Sequence, residues 1–237
     1  MVDDSYILKN VEQVRTQVQR ALSRRGRPAD AVRIIAVTKS ATADVLPLLA
    51  DAGILDAAEN RWQVARDKFE HPAAKRFEWH FIGSLQTNKV KYIVPRFDWV
   101  HSVDRLELAR ALSQEAVKQS RTLNVLLQVN IAHEPQKHGF FADDVRAVAG
   151  EVAALPNLVL RGLMAMAPKV DDMEETRHVF RAMDELLLET RQTLGLPQLT
   201  ELSMGMSEDY PVAVEEGATM IRVGRHLVGH PGGAKEE

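Results

Sequence analysis

The chain has 237 residues, a formal net charge of −3, a sequence pI near 6.3 and no cysteine. Disulfides, thiol catalysis and cysteine–metal sites are therefore excluded, and nothing in the charge balance favours nucleic acid or an anionic membrane. The hydrophobic fraction of 45% is that of a soluble globular protein, the acidic opening MVDDSYILKN is no signal peptide, and no apolar run is long enough to span a bilayer, so a cytoplasmic protein is expected.

In chain order, Ile7, Leu8, Val11, Val14, Val18 and Leu22 recur at helical spacing and predict a helix over residues 5–25, ended by Gly26 and Pro28. This helix can pack under the rest of the fold or make a dimer contact; a monomer is the expectation. The run Ile34-Ile35-Ala36-Val37-Thr38-Lys39 reads as a buried strand with a lysine at its C-terminal end. By period-2 alternation Lys39 points the same way as Ile35 and Val37. A lysine in an apolar site loses hydration and becomes a nucleophile towards carbonyls; the plainer alternative is a strand-ending lysine that snorkels to water. Residues 42–52 follow as a helix, with Thr42 as N-cap, Pro47 as a kink or first-turn marker and Gly53 as the stop.

The alternation then repeats. Strand-like runs at 54–59, 77–82, 98–103, 124–131, 158–166, 200–204 and 219–223 are separated by amphipathic stretches at 61–70, 87–94, 104–119, 141–154, 172–194 and 208–216. With the Lys39 strand this makes eight strands alternating with helices, which predicts a single (β/α)8 TIM-type barrel with an extra N-terminal helix over residues 1–230 and a disordered tail at 231–237. A doubly wound sheet competes, but no G-x-G-x-x-G follows the first strand.

Reactive groups in such a barrel belong at the C-terminal ends of the strands. Those ends carry Lys39, Glu59 with Asn60, the loop Gly83-Ser84-Leu85-Gln86, Ser102 and Asp104, Asn130, Met166, then Ser203-Met204-Gly205-Met206-Ser207 and Arg222-Val223-Gly224. The last two form the usual phosphate cradle of this architecture: Ser203 and Ser207 offer hydroxyls, and Gly205 and Gly224 let backbone N–H groups approach an anion. Alternatively, SMGMS turns the chain and Ser207 caps the next helix. Arg222 shares a strand face with Met220 and Gly224, so it enters the barrel mouth if Ile221 and Val223 face the helices. A guanidinium there serves a ligand or a structural ion pair. Together, a lysine, a phosphate cradle and an inward arginine suit pyridoxal 5′-phosphate (PLP), with Lys39 forming the imine and Arg222 facing the pyridine nitrogen. The eight histidines have no metal-ligand spacing, and His80 reads as a packed or hydrogen-bonded strand residue.

The blocks AVTKS (36–40), AEN (58–60), WHFIGSLQTNK (79–89), HSVDR (101–105), LLQVNI (126–131), LRGLMAM (160–166), LSMGMSEDY (202–210) and MIRVGRHLVG (220–229) resemble the YggS/PROSC family of PLP homeostasis proteins. The resemblance implies a barrel like the N-terminal domain of alanine racemase, PLP on Lys39, cofactor contacts at Asn60, Ser203, Ser207, Arg222 and Gly224, and a role in buffering the cofactor or delivering it to apo PLP enzymes. The chain departs from the family pattern at Ala57-Ala58, at Glu134-Pro135 with Lys137-His138-Gly139, and at Ala167-Pro168, all expected at the rim of the site. Racemases of this fold type bring a second acid/base from an additional β domain. Here Tyr6, Tyr92 and Tyr210 are the only phenols, so binding without efficient turnover is expected, with a PLP-dependent amino-acid racemase as the alternative. A phosphate-binding barrel without PLP is the third reading.

Overall fold

The computed structural model describes residues 5–131 and 138–229; the expected tail and the departures at Glu134, Pro135 and Lys137 lie outside the described residues. The first helix, α1 (Ser5–Arg24), buries Ile7, Val11, Val14, Val18, Ala21 and Leu22 along one stripe, as its 3.6-residue period dictates. After β1 (Arg33–Val37), the helix predicted over residues 42–52 shortens to α2 (Val45–Asp51). Asp44 holds its N-cap position, and the Thr42 hydroxyl donates to the Asp44 carboxylate at 3.0 Å instead of capping the helix. Pro47 is the third residue of α2, where a missing N–H breaks no intrahelical bond.

The chain then alternates as expected: β2 (Asp56–Glu59), α3 (Trp62–Phe69), β3 (Glu78–Phe81), α4 (Val90–Ile93), β4 (Trp99–Val103), α5 (Leu106–Lys118), β5 (Leu123–Gln128), α6 (Ala142–Ala153), β6 (Leu158–Met164), α7 (Arg177–Leu194), β7 (Glu201–Ser203), α8 (Tyr210–Glu215) and β8 (Met220–Val223). A short α9 (Arg225–Val228) and a 3-10 turn at Pro72–Arg76 were not anticipated. The eight strands are parallel and pair in chain order, and β8 returns to β1 through pairs such as Ile34 with Ile221, which closes the barrel. Ile35, Val37, Ala58, Trp99, Leu126, Met164 and Met220 pack together inside it. Their strand neighbours, including Ala36, Ala57, Phe81, Val100, Leu127, Ile221 and Val223, join the larger core beneath the helices.

Because α9 is only four residues long, α1 fills the outer layer between α8 and α2, beside the β8–β1 seam. Asn10 donates to the Leu227 and Gly229 carbonyls at 3.0 and 3.2 Å, the Tyr210 hydroxyl donates to Gln17 at 2.7 Å, and Arg27 donates to the Val214, Gly217 and Ala218 carbonyls. Glu216 adds ion pairs to Arg25, Arg177 and Arg181. The buried stripe of this helix thus packs on the chain's own barrel.

Candidate functional site

A cavity of about 850 Å³ opens at the C-terminal end of the barrel, and Lys39, Asn60, Ser207, Arg222 and Gly224 all line it. Ser203 and Gly205 do not reach its wall; both are buried.

Lys39 follows Val37, which faces the barrel interior, but the lysine itself is exposed. Of the two readings open for its side chain, the exposed, strand-ending one matches: β1 ends two residues earlier, and the chain is already emerging from the sheet. The amine has no hydrogen bond or ion pair among the described residues. Thr38 is held rigidly from behind. Its hydroxyl donates to Glu59 Oε1 at 2.6 Å, and the buried ammonium of Lys68 on α3 donates both to the Thr38 carbonyl and to Glu59. Sequence inspection missed Lys68 because its i, i+9 relation to Glu59 spans a loop and a helix. Next to Glu59, Asn60 is positioned by close packing. A Cβ on Gly83 would lie 1.9 Å from the Asn60 carbonyl oxygen, so only glycine allows this approach. The Ser102 hydroxyl fixes the Gly83 carbonyl at 2.6 Å.

On β8, the strand next to β1 on its other side, Arg222 extends into the barrel with Met220, as alternation requires. Its guanidinium donates to Ser203 Oγ at 2.6 Å and to the Ala165 carbonyl at 3.0 Å. Among the described residues no carboxylate lies within ion-pair distance of it, which removes the structural ion-pair alternative. Burial pushes the guanidinium down to about 10, opposed by the charge of Asp209. Asp209 is itself raised by burial, against the pull of the Met206 N–H that it accepts at 2.6 Å and of Arg222. Ser207 does not cap α8, whose N-cap is Asp209; its hydroxyl accepts the Gly224 N–H at 3.3 Å. Gly205 turns the β7 loop with φ of +90°, and its carbonyl accepts the Arg222 N–H at 2.9 Å. It therefore joins the two loops without reaching the cavity wall.

Below Arg222, the barrel interior holds polar groups that strand-by-strand reading did not connect. Ser203 Oγ lies 2.8 Å from His101 Nδ1, His101 Nε2 lies 2.9 Å from His80 Nδ1, and His80 Nε2 lies 2.9 Å from Asp56 Oδ1. Burial drives His101 well below the ordinary histidine range, helped by neighbouring His80, Arg222 and Arg33. Asp56, Glu78 and His80 offer atoms close enough to hold a cation, but Arg33 already pairs with both carboxylates, at 3.3 and 2.8 Å.

The departures from the family pattern are not all at the rim. Ala57 and Ala58 are fully buried within β2, one facing the helices and one the barrel interior. His138 is exposed, with its ring nitrogen 3.7 Å from Asp104, and Pro168 lines the cavity mouth. None of the three tyrosines lines the cavity; Tyr92 stacks on Trp62 and Tyr210 bonds α1.

A closed parallel barrel with its cavity at the C-terminal mouth and a lysine at the end of β1 defines a barrel of the alanine racemase type, and the family "Alanine racemase, N-terminal domain" matches residues 9–231. Within that class, the chain belongs to the pyridoxal phosphate homeostasis protein family. It is 40% identical over 225 residues to the "Pyridoxal phosphate homeostasis protein" of Pseudomonas aeruginosa, covering 95% of this chain and 96% of that protein. A crystal structure of an unknown protein from Bifidobacterium adolescentis superposes with a TM-score of 0.90 at 30% identity, covering 96% and 97% of the two chains. PipY of Synechococcus elongatus with PLP bound gives 0.77 at 37% identity, covering 89% of this chain and 99% of that one.

Proposed function

We propose that the chain binds pyridoxal 5′-phosphate at the barrel mouth through a Schiff base to Lys39, and that it buffers and delivers the cofactor in the cytoplasm without efficient turnover. The observation that carries this reading is the convergence, in one cavity, of an unpaired lysine amine and a buried guanidinium lacking a carboxylate partner. Both groups fit the cofactor: the amine is free to condense with an aldehyde, and a buried cation without a counter-ion requires an acceptor. When bound, PLP supplies that aldehyde and a pyridine ring able to accept electron density.

The chain's own groups divide the work. Arg222 donates to the pyridine nitrogen and keeps it unprotonated, which weakens the ring as an electron sink. Ser207, Gly224 and the backbone around them receive the phosphate, and Asn60 borders Lys39. Ser203 and Gly205 act indirectly, one by anchoring Arg222 and the other by shaping the β7 loop. No phenol lines the cavity to serve as a second acid/base, which supports holding over racemisation. The names of the relatives and the PLP bound in PipY point the same way, and apo PLP enzymes are the expected recipients.

Borohydride reduction of PLP-loaded protein followed by peptide mapping tests the site: the label should fall on Lys39, and a label elsewhere refutes the assignment. Incubation with L-amino acids in deuterated solvent tests the lack of turnover, since Cα deuteration at enzyme-like rates would establish the racemase-like alternative.

A further inference from the structure

The buried groups beneath Arg222 form an unbroken series of contacts from the pocket floor to the opposite end of the barrel. Arg222 is on β8, Ser203 on β7, His101 on β4, His80 on β3 and Asp56 is the first residue of β2. Successive separations are 2.6, 2.8, 2.9 and 2.9 Å, and Ser203, His101 and His80 are all fully buried.

The donors and acceptors leave one arrangement. A guanidinium can only donate, so Ser203 Oγ accepts from Arg222. The Ser203 hydroxyl proton, with no solvent to meet, is then satisfied by His101 Nδ1. His101 therefore carries its proton on Nε2 and donates to His80 Nδ1, while His80 carries its own on Nε2 and donates to the Asp56 carboxylate. Reversing the direction would leave the Ser203 proton buried without an acceptor, which costs about 1–3 kcal/mol. The charged groups around this series are Arg33 on β1 and Arg222 on β8, whose charges act on His101, Asp56 on β2 and Glu78 on β3, both paired with Arg33, and Asp209 after β7, whose charge acts on Arg222.

We infer that Ser203, His101, His80 and Asp56 are positioning residues that form a one-way hydrogen-bonded relay, holding the Arg222 guanidinium in place so that its free N–H groups face the pocket at a fixed point. A guanidinium only donates, so the ligand atom meeting Arg222 must be an unprotonated acceptor, and the relay, reaching to the barrel's far end, fixes where that donor stands. This relay rests on the proposed function only for the identity of that atom, the ring nitrogen of PLP; its internal order does not depend on the ligand.

Two measurements separate the two claims. Nitrogen-15 NMR of histidine-labelled protein without added PLP should show His80 and His101 as neutral Nε2–H tautomers, assigned from the signals lost in His80→Gln and His101→Phe. An Nδ1–H tautomer at either position overturns the relay. With PLP bound, Ser203→Ala and His101→Phe should raise the pKa of the ring nitrogen, read by nitrogen-15 NMR of ring-labelled PLP, by about one unit, a tenfold change in proton affinity. Titrations that superpose on wild type also overturn it. If wild-type protein takes up no PLP, the functional reading falls and the tautomer spectrum alone decides the relay. A variant that fails to fold, judged by circular dichroism, is replaced in the comparison by the other.

Discussion

The ammonium of Lys68 meets the carbonyl of Thr38 across 2.5 Å, one peptide ahead of Lys39 and on the far side of β1 from the cavity. Thus one lysine, buried among the helices, fixes the backbone from which another reaches into the pocket. Lys68 is 3% exposed, and its carboxylate partner, Glu59, is fully buried with Oε2 left without a hydrogen bond.

Lys68→Met should therefore be severe, because it strands the Glu59 charge in the core. A loss of about 3–5 kcal/mol is expected from removing one member of a buried pair. Adding Glu59→Gln to the same chain should restore part of it. Urea unfolding of the three proteins checks this, and a loss below about 1 kcal/mol for the single variant would mean that the pair does not anchor Thr38.

Lys39→Ala should behave in the opposite way. The side chain is exposed and unpaired, so stability should stay within about 0.5 kcal/mol of wild type. The visible band of bound PLP and the borohydride-fixed label should both vanish. Thermal unfolding and the absorption spectrum of one preparation read both outcomes.

Gly205 and Gly224 should separate a structural glycine from a ligand-facing one. At Gly205 an added Cβ would lie 2.6 Å from Ala213 Cβ and 2.9 Å from Tyr210 Cα, at a φ of +90°. Gly205→Ala is expected to cost about 1–3 kcal/mol or more. At Gly224 the nearest atom would be the Val37 carbonyl oxygen at 3.4 Å, an ordinary contact. Gly224→Ala should fold normally yet bind PLP more weakly, because the new methyl stands where the phosphate approaches the backbone. Unchanged affinity, measured by fluorescence titration, would remove Gly224 from the phosphate site.

Acid should destabilise the fold through His101. Its folded-state pKa lies well below the ordinary 6.5, so below that pH the unfolded chain takes up a proton that the folded one refuses. The stability His101 contributes is complete above about pH 6.5 and is lost as pH falls towards its depressed folded value, at ~1.4 kcal/mol per pH unit. His101→Phe removes the group, so the difference between wild-type and variant stability isolates the histidine from the carboxylates. Parallel urea midpoints from pH 7.5 to 5.5 would contradict this assignment.

The sequence exposed the barrel because each strand is a continuous apolar run, as sheets covered on both faces require. Alternation also placed Arg222 correctly, since Ile221 and Val223 need the helix-facing core. It could not place Ser203, which has the right face but lies too deep, with its hydroxyl taken by Arg222 and His101. Depth depends on register and on the size of neighbouring side chains. Likewise, His80 was legible as a hydrogen-bonded strand residue, but its link to His101 follows from the pairing of His80 with Trp99 across β3 and β4. Lys39 stayed open between burial and exposure because strand ends are blurred in sequence, and two residues decide whether a side chain is enclosed or free.

The placement of α1 makes the outer ring of helices close on itself out of order. Helix α1, which precedes β1 in the chain, occupies the slot that would ordinarily follow the last strand, and its bonds reach partners more than 190 positions away. Its apolar stripe therefore waits for α8 and α9 before it can be covered, so its docking joins segments far apart in the chain. Asn10, near the start of α1, already touches the Leu227 and Gly229 carbonyls. The molecule is thus suited to rewiring: a circular permutant that begins near Asp30 and carries residues 5–25 after Gly229 on a short linker would restore regular βα order and turn this distant pairing into a local one.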